Sequence, residues 1–287
     1  MQEDDLRASS NVEDRRGMSG GAAAGGLGIG AIVVLSLIGW ATGIDPRVLI
    51  GGAEQLSGNN APTQQTQPAP PGTPTDQMGN FVARILGETE DVWTQALPAQ
   101  GGPAYQKPTL VLFSGATRSG CGTAQSAMGP FYCPLDRKLY LDTAFFNDMQ
   151  RRLGGGGDFA YAYVIAHEVG HHVQNLLGLL PKVQQAEEGA DRRTANGLSV
   201  RTELMADCLA GVWAYQMNRR HHNINDSDVQ QAVSTATAIG DDRIAQASGR
   251  GAIVPDSLTH GSAEQRVQWL TTGLHTGQLS ACNTFKN

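Results

Sequence analysis

Residues 163–173 read Tyr163-Val164-Ile165-Ala166-His167-Glu168-Val169-Gly170-His171-His172-Val173. Uncharged residues at Val164, Ile165, Ala166, Val169 and Gly170 surround a His-Glu-x-x-His cluster, as a half-buried helix carrying an active site requires. Side chains four positions apart share one face of a helix, so the imidazoles of His167 and His171 can reach the same ion. Glu168 follows the first histidine and can stand beside the metal without binding it, placed to take a proton from an attacking water. His172 is rotated by about 100° from His171 and is not expected to ligate. The pattern is short, and an amphipathic helix with incidental histidines would also show it.

A third ligand separates the two readings, because a catalytic zinc has three protein ligands and one open position. The residue six after His171 is Leu177, which excludes the His-Glu-x-x-His-x-x-Gly-x-x-His arrangement. Further on, Glu203-Leu204-Met205-Ala206-Asp207 places two carboxylates one helical turn apart among apolar neighbours. A carboxylate in such surroundings is expected to be buried and paired rather than part of an exposed acidic edge. Glu203 is therefore the expected third ligand, and Asp207 the acceptor for the other ring N–H of a ligand histidine.

These segments, together with Pro255-Asp256-Ser257-Leu258-Thr259-His260-Gly261-Ser262-Ala263-Glu264-Gln265-Arg266 and the N-terminal Asn11-Val12-Glu13-Asp14-Arg15-Arg16-Gly17, resemble the bacterial putative neutral zinc metallopeptidase family over essentially the whole chain. The resemblance implies a zincin-type domain of the class with a glutamate as third ligand, without a known substrate; the expected partner is a peptide or protein substrate. The expected fold is α+β, mainly helical with a small β-sheet, preceded by a single transmembrane helix.

Outward from the site, apolar spacing predicts helices near Phe81–Leu97, Thr143–Leu153, Phe159–Leu177, Val200–Met217, Ser227–Gln246 and Ser262–Thr272. Asp158, Ser262 and either Asp226 or Ser227 are the expected N-caps. Thr109–Ser114 and Lys138–Leu141 read as short strands, either of which could be the edge along which an extended peptide lies. His260 precedes a helix and could fold back to stabilise an oxyanion, the bland alternative being a surface histidine. Tyr161, Tyr163 and Arg266 are weaker candidates for that role. His221, His222 and His275 are expected to be solvated.

The remaining sequence suggests a domain on a tether. Residues 20–44 contain no charge, and about 20 apolar residues suffice to cross a hydrocarbon core roughly 30 Å thick. A cleaved signal peptide competes, but the apolar part exceeds the usual 7 to 15 residues and follows a long segment of mixed charge. Arg7, Arg15 and Arg16 precede the span while Arg47 alone follows closely, which favours a cytoplasmic N-terminus. The expected organisation is a short cytoplasmic segment (1–19), the membrane helix (20–44), a Pro/Gln-rich linker (45–76) and a metallopeptidase domain (77–287), held at the bacterial cytoplasmic membrane with the domain periplasmic or extracellular.

Four cysteines without a Cys-x-x-Cys pair disfavour a structural zinc knuckle and suggest two disulfides, Cys121–Cys133 and Cys208–Cys282. A formal net charge of -6, with no long basic run, sets nucleic acid aside. Two other functions remain open on sequence: an envelope scaffold or binding module that keeps zinc for folding, and a zinc-dependent amidase of a non-peptide bond.

Overall fold

Thr109–Phe113 and Lys138–Asp142, two of the apolar runs, lie side by side in parallel at the centre of a sheet. The computed structural model describes residues 1, 3–16, 74–153, 156–243 and 259–286. Its strands are β1 (Val12–Asp14), β2 (Thr109–Phe113), β3 (Ala116–Ser119), β4 (Gly122–Gln125), β5 (Phe131–Cys133) and β6 (Lys138–Asp142). The main sheet runs β1-β2-β6-β5, with β5 antiparallel to the rest, and β3 pairs with β4 in a separate hairpin. Period-two alternation divides the sheet between two apolar clusters. Leu110, Leu112, Leu139 and Leu141 face the main core, whereas Val111, Phe113 and Tyr140 pack with Ala124, Cys133 and Phe131 on the other side.

Seven helices are described: α1 (Gln77–Ala99), α2 (Ala144–Leu153), α3 (Asp158–Leu176), α4 (Leu179–Glu188), α5 (Arg192–His221), α6 (Asp226–Ala238) and α7 (Ala263–Thr276). Residues Phe159 to Gly170 of α3 are all buried, so this helix runs through the middle of the domain rather than along its surface. α5 and α7 touch backbone to backbone. A Cβ on Gly273 would stand 2.0 Å from the Cys208 carbonyl oxygen, and one on Gly211 would stand 2.3 Å from that of Leu270.

Several expectations shift at their boundaries. Asp76 caps α1 and Ser262 caps α7, the latter with Gln265 in a reciprocal capping box. Asn225, rather than Asp226 or Ser227, caps α6, and Gly157 precedes α3 with Asp158 inside its first turn. α5 begins eight residues before Val200, and α4 was not foreseen. Neither Thr109–Phe113 nor Lys138–Asp142 is a sheet edge, because β1 and β5 cover their outer sides.

Residues 3–16, part of the expected N-terminal segment 1–19, pack against the domain. Leu6 and Val12 lie in the main core, and β1 pairs with β2 in parallel. A three-residue strand has too little periodicity to announce itself, and its partner is almost a hundred residues away in the chain. The expected span 20–44 and nearly all of the linker 45–76 fall outside the described residues. Among the described residues no helix is long and apolar enough to cross a membrane.

Both disulfides form as expected, Cys121–Cys133 and Cys208–Cys282. The second closes the longer loop, with a sequence separation of 74 against 12. Chain-entropy arguments give roughly 4 kcal/mol for the longer loop and roughly 3 kcal/mol for the shorter. The double variant Cys208→Ser/Cys282→Ser should therefore lose more unfolding free energy in urea than Cys121→Ser/Cys133→Ser. Equal losses would contradict this ordering.

Candidate metal centre

Helices α3 and α5 meet where a small residue allows it. A Cβ on Gly170 would stand 3.0 Å from the carbonyl oxygen and 3.1 Å from the Cα of Ala206. That contact lies between His167 and His171 on one helix and beside Glu203 on the other, so close approach and ligand convergence have the same cause. His167 Nε2 is 3.2 Å from Glu203 Oε2, and His171 Nε2 is 3.5 Å from Glu203 Oε1. One donor atom from each of these three residues lies within 4.8 Å of the others. Two donors on a tetrahedral zinc, with bonds of 2.0–2.1 Å, stand about 3.3 Å apart, so the observed spacings fit such an ion.

The outer ring nitrogens fix the tautomers. His167 Nδ1 lies 2.8 Å from Asp207 Oδ1, and His171 Nδ1 lies 3.0 Å from Gln174 Oε1. Each Nδ1–H thus has an acceptor, which leaves both Nε2 lone pairs for a metal. Gln174 is itself oriented by donating from Nε2 to the Thr202 carbonyl at 2.7 Å. Its position three residues after His171, on the same helix face, is the signal that could have revealed it.

Asp207 is completely buried and accepts from three side chains. Arg266 donates through Nε to Oδ2 at 2.9 Å and through NH2 to Oδ1 at 2.8 Å, and Tyr163 OH donates at 2.6 Å. Burial would raise the Asp207 carboxyl, but Arg266 and His167 outweigh it and hold it at about 2. Arg266 and Tyr163, the weaker candidates for an oxyanion, therefore stand behind His167 and grip Asp207. Tyr161 points elsewhere, stacking on Phe146 and meeting Phe81 edge-on in the core.

Glu168 is 9 % exposed and lies outside the ligand trio. Burial pushes its carboxyl above the ordinary range, with His167 and His171 opposing the shift and Glu203 adding to it. A carboxylate raised in this way is a better proton acceptor at neutral pH.

His260 comes close to the centre from another direction. Ser199 Oγ donates to the Thr259 carbonyl at 3.0 Å, fastening this turn to α5 one helical turn before Glu203. His260 Nδ1 lies 3.1 Å from Asp241 Oδ1, while the backbone N–H groups of Thr259 and His260 each donate to Asp241 Oδ2 at 2.7 Å. The side chain is 52 % exposed, and its pKa is raised by the Asp241 hydrogen bond, against burial and with help from Glu203. Asp241 was not foreseen, because nothing in the sequence ties it to a histidine 19 residues away.

The remaining histidines divide differently from expectation. His172 does not ligate: it is wholly buried, sits 2.5 Å from the Gln106 carbonyl and 3.0 Å from Tyr132 OH, and burial lowers it to about 4. His221 is not simply solvated, since its Nε2 lies 3.1 Å from the buried Glu88.

Burial alone would lower His167, but Asp207 and Glu203 raise it to about 10, so a metal entering the site must displace a proton. Zinc affinity should therefore climb with pH through the neutral range towards 10, with at least one proton released. Calorimetry in buffers of different ionisation enthalpy measures this, and a pH-independent affinity would contradict it. In chelated protein the sign is reversed: His167 stabilises the fold fully below its ordinary 6.5, and that contribution fades as pH rises through about 10.

The sequence profile of the putative neutral zinc metallopeptidase family matches residues 1–285. The chain is 45% identical over 288 residues to "Uncharacterized protein YpfJ" of Escherichia coli strain K12, covering 97% of this chain and 96% of the relative. It is 47% identical over 204 residues to "Uncharacterized protein Rv2575" of Mycobacterium tuberculosis strain H37Rv, covering 68% and 66%. No solved structure matches the chain. With a ligand trio at zinc spacing and a profile match over nearly its whole length, the chain belongs to the putative neutral zinc metallopeptidase family.

Proposed function

We propose that the chain is a zinc-dependent peptidase that hydrolyses peptide bonds with Glu168 as general base. The observation that carries this reading is a buried carboxylate, outside the ligand trio and raised in pKa, beside three donors spaced for a tetrahedral ion. A site built only for folding has no use for that carboxylate.

A zinc ion held by His167, His171 and Glu203 supplies Lewis acidity that polarises a carbonyl and makes water easier to deprotonate. Glu168 takes the proton of the attacking water and hands it to the leaving amine. His260, with Nδ1 held by Asp241, would donate from Nε2 to the developing oxyanion. Arg266, Asp207 and Gln174 touch neither reactant and keep the ligand imidazoles in position.

Substrate recognition is proposed at β5, the antiparallel edge strand. Tyr132 of β5 accepts from Asn175 at 2.9 Å and contacts His172, which joins this strand to the site helix. Among the described residues no strand pairs with its outer side, so an extended peptide can add there. KM should fall several-fold from a dipeptide to a hexapeptide, and a length-independent KM would rule this docking out. The two disulfides support a domain that works in an oxidising compartment outside the cytoplasm.

Glu168→Gln should retain zinc while kcat on a peptide library falls roughly 10²–10⁴-fold. Retained zinc with an unchanged cleavage profile would favour the scaffold reading instead. Asp207→Asn should weaken zinc binding by roughly 10–100-fold, measured by chelator competition, and unchanged affinity would remove Asp207 from its positioning role.

A further inference from the structure

The motif Asn11-Val12-Glu13-Asp14-Arg15-Arg16-Gly17 takes no part in the chemistry above, yet several of its side chains are tightly engaged. Val12 is fully buried, and Val12, Glu13 and Asp14 lie in register with Leu110, Val111 and Leu112. Glu13 accepts from Lys138 Nζ and from Arg15, each at 2.5 Å, and Arg15 also donates to Thr117 Oγ1 and to the Arg118 carbonyl at 3.2 Å.

The strongest tie is to Glu90, a wholly buried carboxylate in α1. It accepts from Ser9 Oγ at 2.5 Å, Asn11 Nδ2 at 2.7 Å and Arg7 NH2 at 2.9 Å, while Lys107 approaches at 3.3 Å. Three of these four partners belong to the arm. A buried charge that loses most of its partners is strongly unfavourable, so α1 is built to receive this segment. Gly87 completes the fit, because a Cβ there would stand 2.1 Å from the Arg7 carbonyl oxygen.

We infer that residues 3–16, with β1 as an edge strand, are an integral part of the metal-binding domain, and that this arm and the metal centre stand on the same side of any membrane the chain meets. A strand hydrogen-bonded into a sheet cannot be separated from it by a hydrocarbon core of about 30 Å. A single crossing within 20–44, with the arm inside the cytoplasm and the domain outside, is incompatible with paired β1. The chain that leaves the domain at Arg16 therefore returns to the same side by Pro74. By occupying the outer side of β2, the arm also shields that strand from pairing with other chains.

The test uses the full chain in cells. All four cysteines are in disulfides, so exposed Ser10→Cys and Gln185→Cys each introduce one reactive thiol. Both should react with a membrane-impermeant maleimide to the same extent, whether before or only after the cytoplasmic membrane is opened. Labelling of the two from opposite sides, or a mature chain that lacks residue 10, would overturn the inference. Limited trypsinolysis of the purified full chain tests the docking itself, with zinc binding as the check of folding. Cleavage after Arg15 should be at least tenfold faster in Gly87→Val, and faster also in the milder Asn11→Ala, than in the parent. Equal rates in variants that still bind zinc would overturn it as well.

Discussion

The buried pair of Asp207 and Arg266 is the interaction on which the centre depends. Asp207 has no solvent contact, and isolating a carboxylate from water costs several kcal/mol unless charge and hydrogen bonds replace its hydration. Here the replacement is complete on both oxygens: a bidentate guanidinium from α7, a phenol from α3 and the Nδ1–H of a ligand histidine. Asp207 lies in α5 and its partners come from α3 and α7, so satisfying one carboxylate fixes the mutual position of the three helices. Metal-site geometry and tertiary packing are thereby a single problem.

The close helix contacts follow from the same requirement. Arg266 reaches Asp207 with α7 laid directly on α5, which the facing Gly211 and Gly273 allow, and Cys208–Cys282 ties the end of the chain to the residue after Asp207. His167 meets Glu203 with α3 against α5 at Gly170 and Ala206. Bulkier residues at these points would push the backbones apart by more than hydrogen-bond tolerance, and the donors would no longer converge. Glycines inside these helices lower intrinsic helix propensity and are compensated by the packing they allow.

Electrostatics divides the carboxylates by role. Asp207 and Glu203 are held ionised by cationic or hydrogen-bonding partners despite burial, as the proposed anchor and ligand of the candidate centre must be. Glu168, with through-space help from His167, His171 and Arg266, is shifted the other way by burial, as suits the proton acceptor proposed for it. Similar side chains on two facing helices, α3 and α5, are separated chemically by what surrounds them.

The candidate site and much of the local structure were written in the sequence. His167, Glu168, His171, Glu203 and Asp207 were legible because their spacing is set by the 3.6-residue helical repeat, and helices announce themselves through that same period. The central strands and the cysteine pairs were legible too, from continuous apolar runs and from the small number of possible pairings. What tertiary structure alone decided depends on contacts between distant segments: β1 beside β2, Arg266 behind Asp207 rather than at an oxyanion, Asp241 under His260, and β5 rather than β2 or β6 as the sheet edge. A sequence lists donors and acceptors without saying which will be buried together. Only the fold removes them from water, and their removal from water is what forces them to pair.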